Sequence, residues 1–189
     1  MKYSDNKHLC HLTVASCKPL ATFYYSKKKK TMGIFKTIFN ELFGSKKTYE
    51  VKDLGIFTSK VCDWWLDKEY SWGTVVRLPP YSKDTFVLVE GDASAPSPQQ
   101  LADLRKLLQD WESIITRLDN MLPRESRLAH KEEIYASWHD TFYPEGITPS
   151  LEDGGGWEIG FVRTDDLKDH FYFIWNRNTV QDLTLGVGA

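Results

Sequence analysis

The sequence predicts an α+β domain: an antiparallel sheet of about six to seven strands, with two central helices packed on one face. Three observations carry this. Short β-branched and aromatic runs occupy residues 54–91. A long stretch with apolar residues every three or four positions follows. Strand-like runs return after residue 147. The order strands, helix, helix, strands is the mark of α+β rather than of alternating α/β units.

The first strands are short. Leu54-Gly55-Ile56-Phe57-Thr58 has β character, and Trp64-Trp65-Leu66 follows. Trp72 to Leu78 ends at Pro79-Pro80, and Thr85 to Gly91 is rich in residues that suit a pleated surface.

The strongest helix opens at Ser97. A serine cap, Pro98 at the first helical position and Gln100 three residues after the cap form a start signal, with Gln100 completing a capping box. Leu101, Leu104, Leu108, Trp111, Ile115, Leu118 and Leu122 define a buried face, and Pro123 is the expected end. A looser stripe of Leu128, Ile134, Tyr135, Trp138 and Phe142 predicts a second helix over about 125–142. The C-terminal third reads as strands at 147–151, 157–162, 171–175 and 180–187, with Asn176-Arg177-Asn178 as a turn.

Ahead of this domain, expected to span 48–189, the chain changes character twice. Residues 1–31 show no sustained periodicity and end in Lys27-Lys28-Lys29-Lys30. They read as a disordered leader or a mis-assigned start, with Met32 as the native first residue. Their lysines follow the apolar stretch, which is the reverse of a secretory signal. His8, Cys10, His11 and Cys17 match no zinc spacing. Residues 32–47 read as an amphipathic helix and linker. Ile34, Phe35, Ile38, Phe39, Leu42 and Phe43 form one stripe that either docks on the domain or makes peripheral contact with a membrane.

Charge divides the same way. Residues 1–47 hold ten lysines and two acids, a net +8. Residues 48–189 hold fourteen bases and twenty-four acids, a net −10. An acidic domain argues against nucleic acid as the ligand and suits a basic protein partner. Only Cys62 of the three cysteines lies in the domain, so no disulfide can close within it. That fits a reducing, cytoplasmic setting.

Candidate chemistry is sparse, and no cofactor or metal is expected. Asp165, Asp166, Asp169 and His170 cluster ahead of a strand and would be the ligands of a metal-dependent enzyme, but a polar loop entering a hairpin explains them as well. His139 and Asp140 are adjacent, and neighbours on a helix do not face each other. Gly154-Gly155-Gly156 opens a strand, whereas a phosphate loop opens a helix. Asp63 beside Cys62 would make that thiol less reactive. Trp64, Trp65, Trp72, Trp157 and His170 are the candidate binding residues, since aromatic side chains dominate both interfaces and cores.

Over residues 50–187 the chain resembles a group of uncharacterised bacterial domains, similar to small α+β domains of the immunity-protein kind. The resemblance rests on Leu54-Gly55-Ile56-Phe57, Trp64-Trp65, Glu90-Gly91-Asp92, Pro96-Ser97-Pro98-Gln99-Gln100-Leu101 and Gly156-Trp157-Glu158-Ile159. Asp166-Leu167 followed by His170 is a partial match, with Asp169 where related groups place glycine. None of these is a catalytic motif. The acidic charge favours a non-enzymatic interaction domain that meets a basic protein, and the resemblance implies toxin neutralisation as one concrete form of it. Two alternatives stand beside it: a small-molecule or sensory module with a Trp-lined pocket, and the metal-dependent enzyme.

Overall fold

A computed structural model of the chain describes residues 45–61, 70–150, 155–165 and 169–186. It is α+β, built on one eight-stranded sheet whose spatial order follows the chain. The strands are β1 (Ser45–Val51), β2 (Gly55–Val61), β3 (Tyr70–Arg77), β4 (Asp84–Gly91), β5 (Phe142–Pro149), β6 (Trp157–Arg163), β7 (His170–Asn176) and β8 (Thr179–Gly186). Between β4 and β5 come α1 (Pro98–Gln109), α2 (Trp111–Leu128), α3 (Glu132–Tyr135) and α4 (Trp138–Thr141).

Eight strands replace the expected six to seven, and the sheet is mixed rather than wholly antiparallel. β4 and β5 pair in parallel, with Val87 opposite Ile147. A parallel neighbour needs a long crossover, and the helices supply it. The extra strand at the start, β1, is polar and mostly exposed at the sheet edge, so its sequence carries no alternation. The expected strand at Trp64–Leu66 and the expected helix at 32–43 lie outside the described residues.

The helical region also departs from the expected pair. The first long helix is interrupted at Asp110, and α2 runs through Pro123 instead of stopping there. Proline inside a helix costs about 3 kcal/mol. Leu118 and Leu122, both fully buried just before it, hold the helix in place against that cost. The interruption shifts the buried positions to Leu107 and Ile114, leaving Leu108 and Ile115 at the margin. Residues 125–142 form no single helix. The end of α2 and two single turns, α3 and α4, take their place, with His130 at a φ of 55° breaking the run.

The helices cover one face of the sheet. Phe57, Trp72, Val87, Val89, Ile147, Ile159, Phe161, Phe171 and Phe173 point into the core, where Leu104, Trp111, Ile114 and Leu118 meet them. Aromatic rings run through its centre. Phe161 stacks on Phe171 at 4.7 Å between centroids, and Trp111 stacks on Phe161 at 6.2 Å. Among the described residues no helix is long and apolar enough to cross a membrane.

Candidate functional site

The best-built surface feature is a corner where β4 ends and α1 begins. Gly91 makes it. A Cβ there would lie 2.2 Å from the Ala95 carbonyl oxygen and 2.7 Å from Pro96 Cα. Without a side chain, the loop folds back and Gly91 bridges Pro96. Asp92 then closes the turn, its Oδ1 accepting from the N–H groups of Ser94 at 2.6 Å and Ala95 at 3.0 Å. Those bonds hold its carboxyl below the usual range, so it stays ionised.

The cap of α1 is tied to the same strand. The Gln100 N–H donates to Ser97 Oγ at 3.4 Å, as a capped start requires. The Gln100 side chain does not return to Ser97 as a capping box would have it. It spans to β4, accepting from the Glu90 N–H at 2.6 Å and donating to Glu90 Oε2 at 3.1 Å. The Ser97 N–H donates to the Glu90 carbonyl at 2.7 Å. The Glu90-Gly91-Asp92 and Pro96–Leu101 segments are thus one structural unit.

This corner borders a depression of about 590 Å³. Tyr49 from β1, Glu90, Asp92 and Arg105 line it. Tyr49 stands edge-on to Trp72, 6.3 Å between ring centroids. Arg105 is bonded to Asp53 at 2.6 and 2.9 Å, so its charge is matched. Lys47 reaches the loop and donates to the Ala93 carbonyl at 3.3 Å. Asp53, Glu90 and Asp92 against Arg105 and Lys47 leave the corner one negative charge in excess.

Of the five candidate binding residues, the three that are described, Trp72, Trp157 and His170, lie at separate places. Trp64 and Trp65 lie outside the described residues. Trp72 is fully buried, its indole N–H donating to the Asp92 carbonyl at 3.0 Å. It supports the acidic corner from beneath. Trp157 lies across the strand pair from Trp175, and both border a second depression of about 380 Å³ between α1 and the ends of β5 to β7. Lys106, Asp103, Asp110 and Arg177 line it too. His170 begins β7, where its ring lies over Gly186. Its carbonyl accepts from the Tyr135 hydroxyl at 3.1 Å.

The aspartates before His170 have a cation of their own. Arg163 holds Asp165 at 2.6 and 3.0 Å and Asp169 at 3.4 Å. Asp166 and Cys62 lie outside the described residues. Among the described residues no group of three His, Cys, Asp or Glu is placed to hold a metal ion.

Two features escaped the sequence reading. His139 pairs with Asp119 of α2 and not with its neighbour Asp140; the Nε2 to Oδ1 distance is 2.6 Å. The same carboxylate accepts from the Trp138 indole at 3.1 Å. The tie between Glu90 and Gln100 likewise bridges ten residues. Neither pairing leaves a local spacing signal.

Comparison of the chain with protein-family models, with curated proteins and with solved structures gives no match.

Proposed function

We propose that this is a non-enzymatic interaction domain of the cytoplasm, whose acidic corner receives a basic side chain of a partner protein. The observation that carries the reading is the juxtaposition of an exposed aromatic ring, Tyr49, with the carboxylates of Glu90 and Asp92 around one depression. An ammonium or guanidinium group gains from an aromatic face and from ionised oxygens together, by about 0.5–2 kcal/mol from the ring alone. The −10 charge of residues 48–189 draws a basic partner toward the site. Neutralising a basic toxin, as the resemblance to immunity-type domains implies, is the concrete form of this role.

The test compares partner capture by the full chain with capture by the Glu90→Gln/Asp92→Asn variant. Both replacements keep an acceptor oxygen, so the bonds to Gln100, Ser94 and Ala95 survive while two charges go. A basic protein that co-purifies stoichiometrically with the native chain, and is lost in the variant and at high salt, supports the reading. A partner retained equally by both chains overturns the corner as its seat.

A second reading draws on the depression beside Trp157 and Trp175. Its volume of about 380 Å³ is in the range of small-ligand sites. Lys106 and Arg177 on its rim would suit an anionic aromatic molecule. Quenching of tryptophan fluorescence by such a compound, abolished by Arg177→Ala, would favour it over the corner.

A further inference from the structure

The sheet face turned away from the helices carries a row of exposed apolar side chains. Ile56 on β2, Val75 on β3 and Phe86 on β4 are 59%, 60% and 38% exposed. The register aligns them. Thr58 opposite Gly73 sets Ile56 against Val75 two residues along, and Val75 is directly opposite Phe86. The Phe86 ring leans across Gly73, where a Cβ would lie 2.8 Å from Cζ. Leu88, partly buried, continues the strip beside Gly73. One side is bounded by the Arg77–Asp84 ion pair. Scattered exposed apolar residues are ordinary, but these three adjoin one another in one cross-strand row.

We infer that this strip is covered by the chain's own residues 34–43, laid on it as an amphipathic helix. That segment lies outside the described residues and joins β1 at Ser45 through Gly44. It carries Ile34, Phe35, Ile38, Phe39, Leu42 and Phe43 on one stripe. A helix this short is marginal alone in water and needs an apolar surface.

The reach matches. Ser45 stands opposite Val61, five residues along β2 from Ile56. At about 3.3 Å per residue and 4.8 Å per strand, Val75 and Phe86 lie roughly 20 Å from Ser45. Ten helical residues extend about 14 Å, and the step through Gly44 adds roughly 7 Å. The segment is therefore long enough to span from Ser45 to Val75 and Phe86. Gly44 gives the chain freedom to turn from β1 onto the face.

The experiment uses the full chain with Cys10, Cys17 and Cys62 replaced by serine and a single thiol at Val75→Cys. Its maleimide labelling rate is compared with that in the Ile38→Asp/Phe39→Asp background, and Glu112→Cys on α2 serves as the exposed control. Docking predicts labelling of Cys at 75 that rises about tenfold or more when the stripe is broken, with the control unchanged. Thr37→Asp, on the opposite side of the helix, keeps the protection. Equal rates in both backgrounds overturn the inference. So does protection that grows with protein concentration, which assigns the strip to a second copy, or protection that appears only with phosphatidylglycerol vesicles. Should the double variant fail to melt cooperatively, a nitroxide at Arg77→Cys in the otherwise native stripe decides. Broadened amide resonances at 34–43 support docking, and unbroadened ones overturn it.

Discussion

The Trp72 indole N–H reaches across to the main-chain carbonyl of Asp92, 3.0 Å away, and Gly91 is what lets the two approach. A Cβ on Gly91 would lie 2.9 Å from Trp72 Cδ1 as well as against the Ala95 and Pro96 backbone. Backbone atoms cannot swing aside as the end of a flexible side chain can. Gly91→Ala should therefore cost about 1–3 kcal/mol, the range for forced overpacking. Gly160 on β6 is the contrast, with nothing among the described residues within 4 Å of its added Cβ. Gly160→Ala should be neutral or stabilise by a few tenths to about 1 kcal/mol, through the unfolded chain's lost freedom. Urea midpoints of the two variants check the pair. Equal losses would mean that the contact at Gly91 is not the reason.

Tyr81 is a buried phenol whose hydroxyl has no hydrogen-bond partner among the described residues. Burial, and to a lesser degree the charge of Asp119, pushes its ionisation far above the ordinary 10.0. The ring itself is well used, edge-on to Phe161 at 5.9 Å. Tyr81→Phe keeps that contact and removes an unsatisfied oxygen. It should raise stability by about 1 kcal/mol, because a desolvated hydroxyl without a partner is a net loss. A chemical denaturation curve tests this, and a loss of stability would show that the hydroxyl has a partner in solution.

Acid and neutral pH should pull stability in opposite directions. Asp92 is held below 3.8 by the Ser94 and Ala95 N–H groups, and Asp53 by its bond to Arg105. Their contributions are present above pH 3.8 and are lost as pH falls through the folded values. Glu145 behaves oppositely. Burial raises its carboxyl above 4.5, with the nearby His170 charge opposing that only partly. The folded state then binds the extra proton, so stability falls as pH rises from about 4.5 through the folded value. Glu145→Gln should be more stable than the native chain at pH 7, with the difference shrinking below pH 4.5. A constant difference between pH 3 and 7 would exclude the mechanism.

Local pattern announced the elements whose cause is local. Ser97, Pro98 and the leucine stripe marked α1, and Asn176-Arg177-Asn178 marked the β7–β8 turn, where Arg177 and Asn178 take φ of 48° and 63°. What stayed hidden depends on distant partners. β1 is a strand because β2 pairs with it along its whole length, not because Lys46, Lys47 and Thr48 favour one. Pro123 reads as a helix end until the burial of Leu118 and Leu122 is known. Of the acidic corner, Glu90, Gly91 and Asp92 were visible as a motif, but Tyr49 joins them only through the sheet. Trp72 and Trp157 could be read as surface or core by residue type, and both are buried.

Asp119 shows how much one exposed carboxylate can hold. Its Oδ1 accepts from the buried Trp138 indole at 3.1 Å and meets His139 Nε2 at 2.6 Å. The His139 ring also stacks on Trp138, 4.0 Å between centroids. Asp119→Ala strips the largely buried indole of its acceptor at the core's edge. A buried donor left unpaired costs about 1–3 kcal/mol. Asp119→Asn keeps a carbonyl oxygen in place and should recover most of that loss. His139→Ala removes only the exposed half of the arrangement, worth less than about 1 kcal/mol. Guanidinium unfolding of the three variants orders them: Asp119→Ala weakest, with Asp119→Asn and His139→Ala near the native chain. If His139→Ala were the most damaging, the His139–Asp119 contact rather than the indole bond would be what anchors α4 to α2.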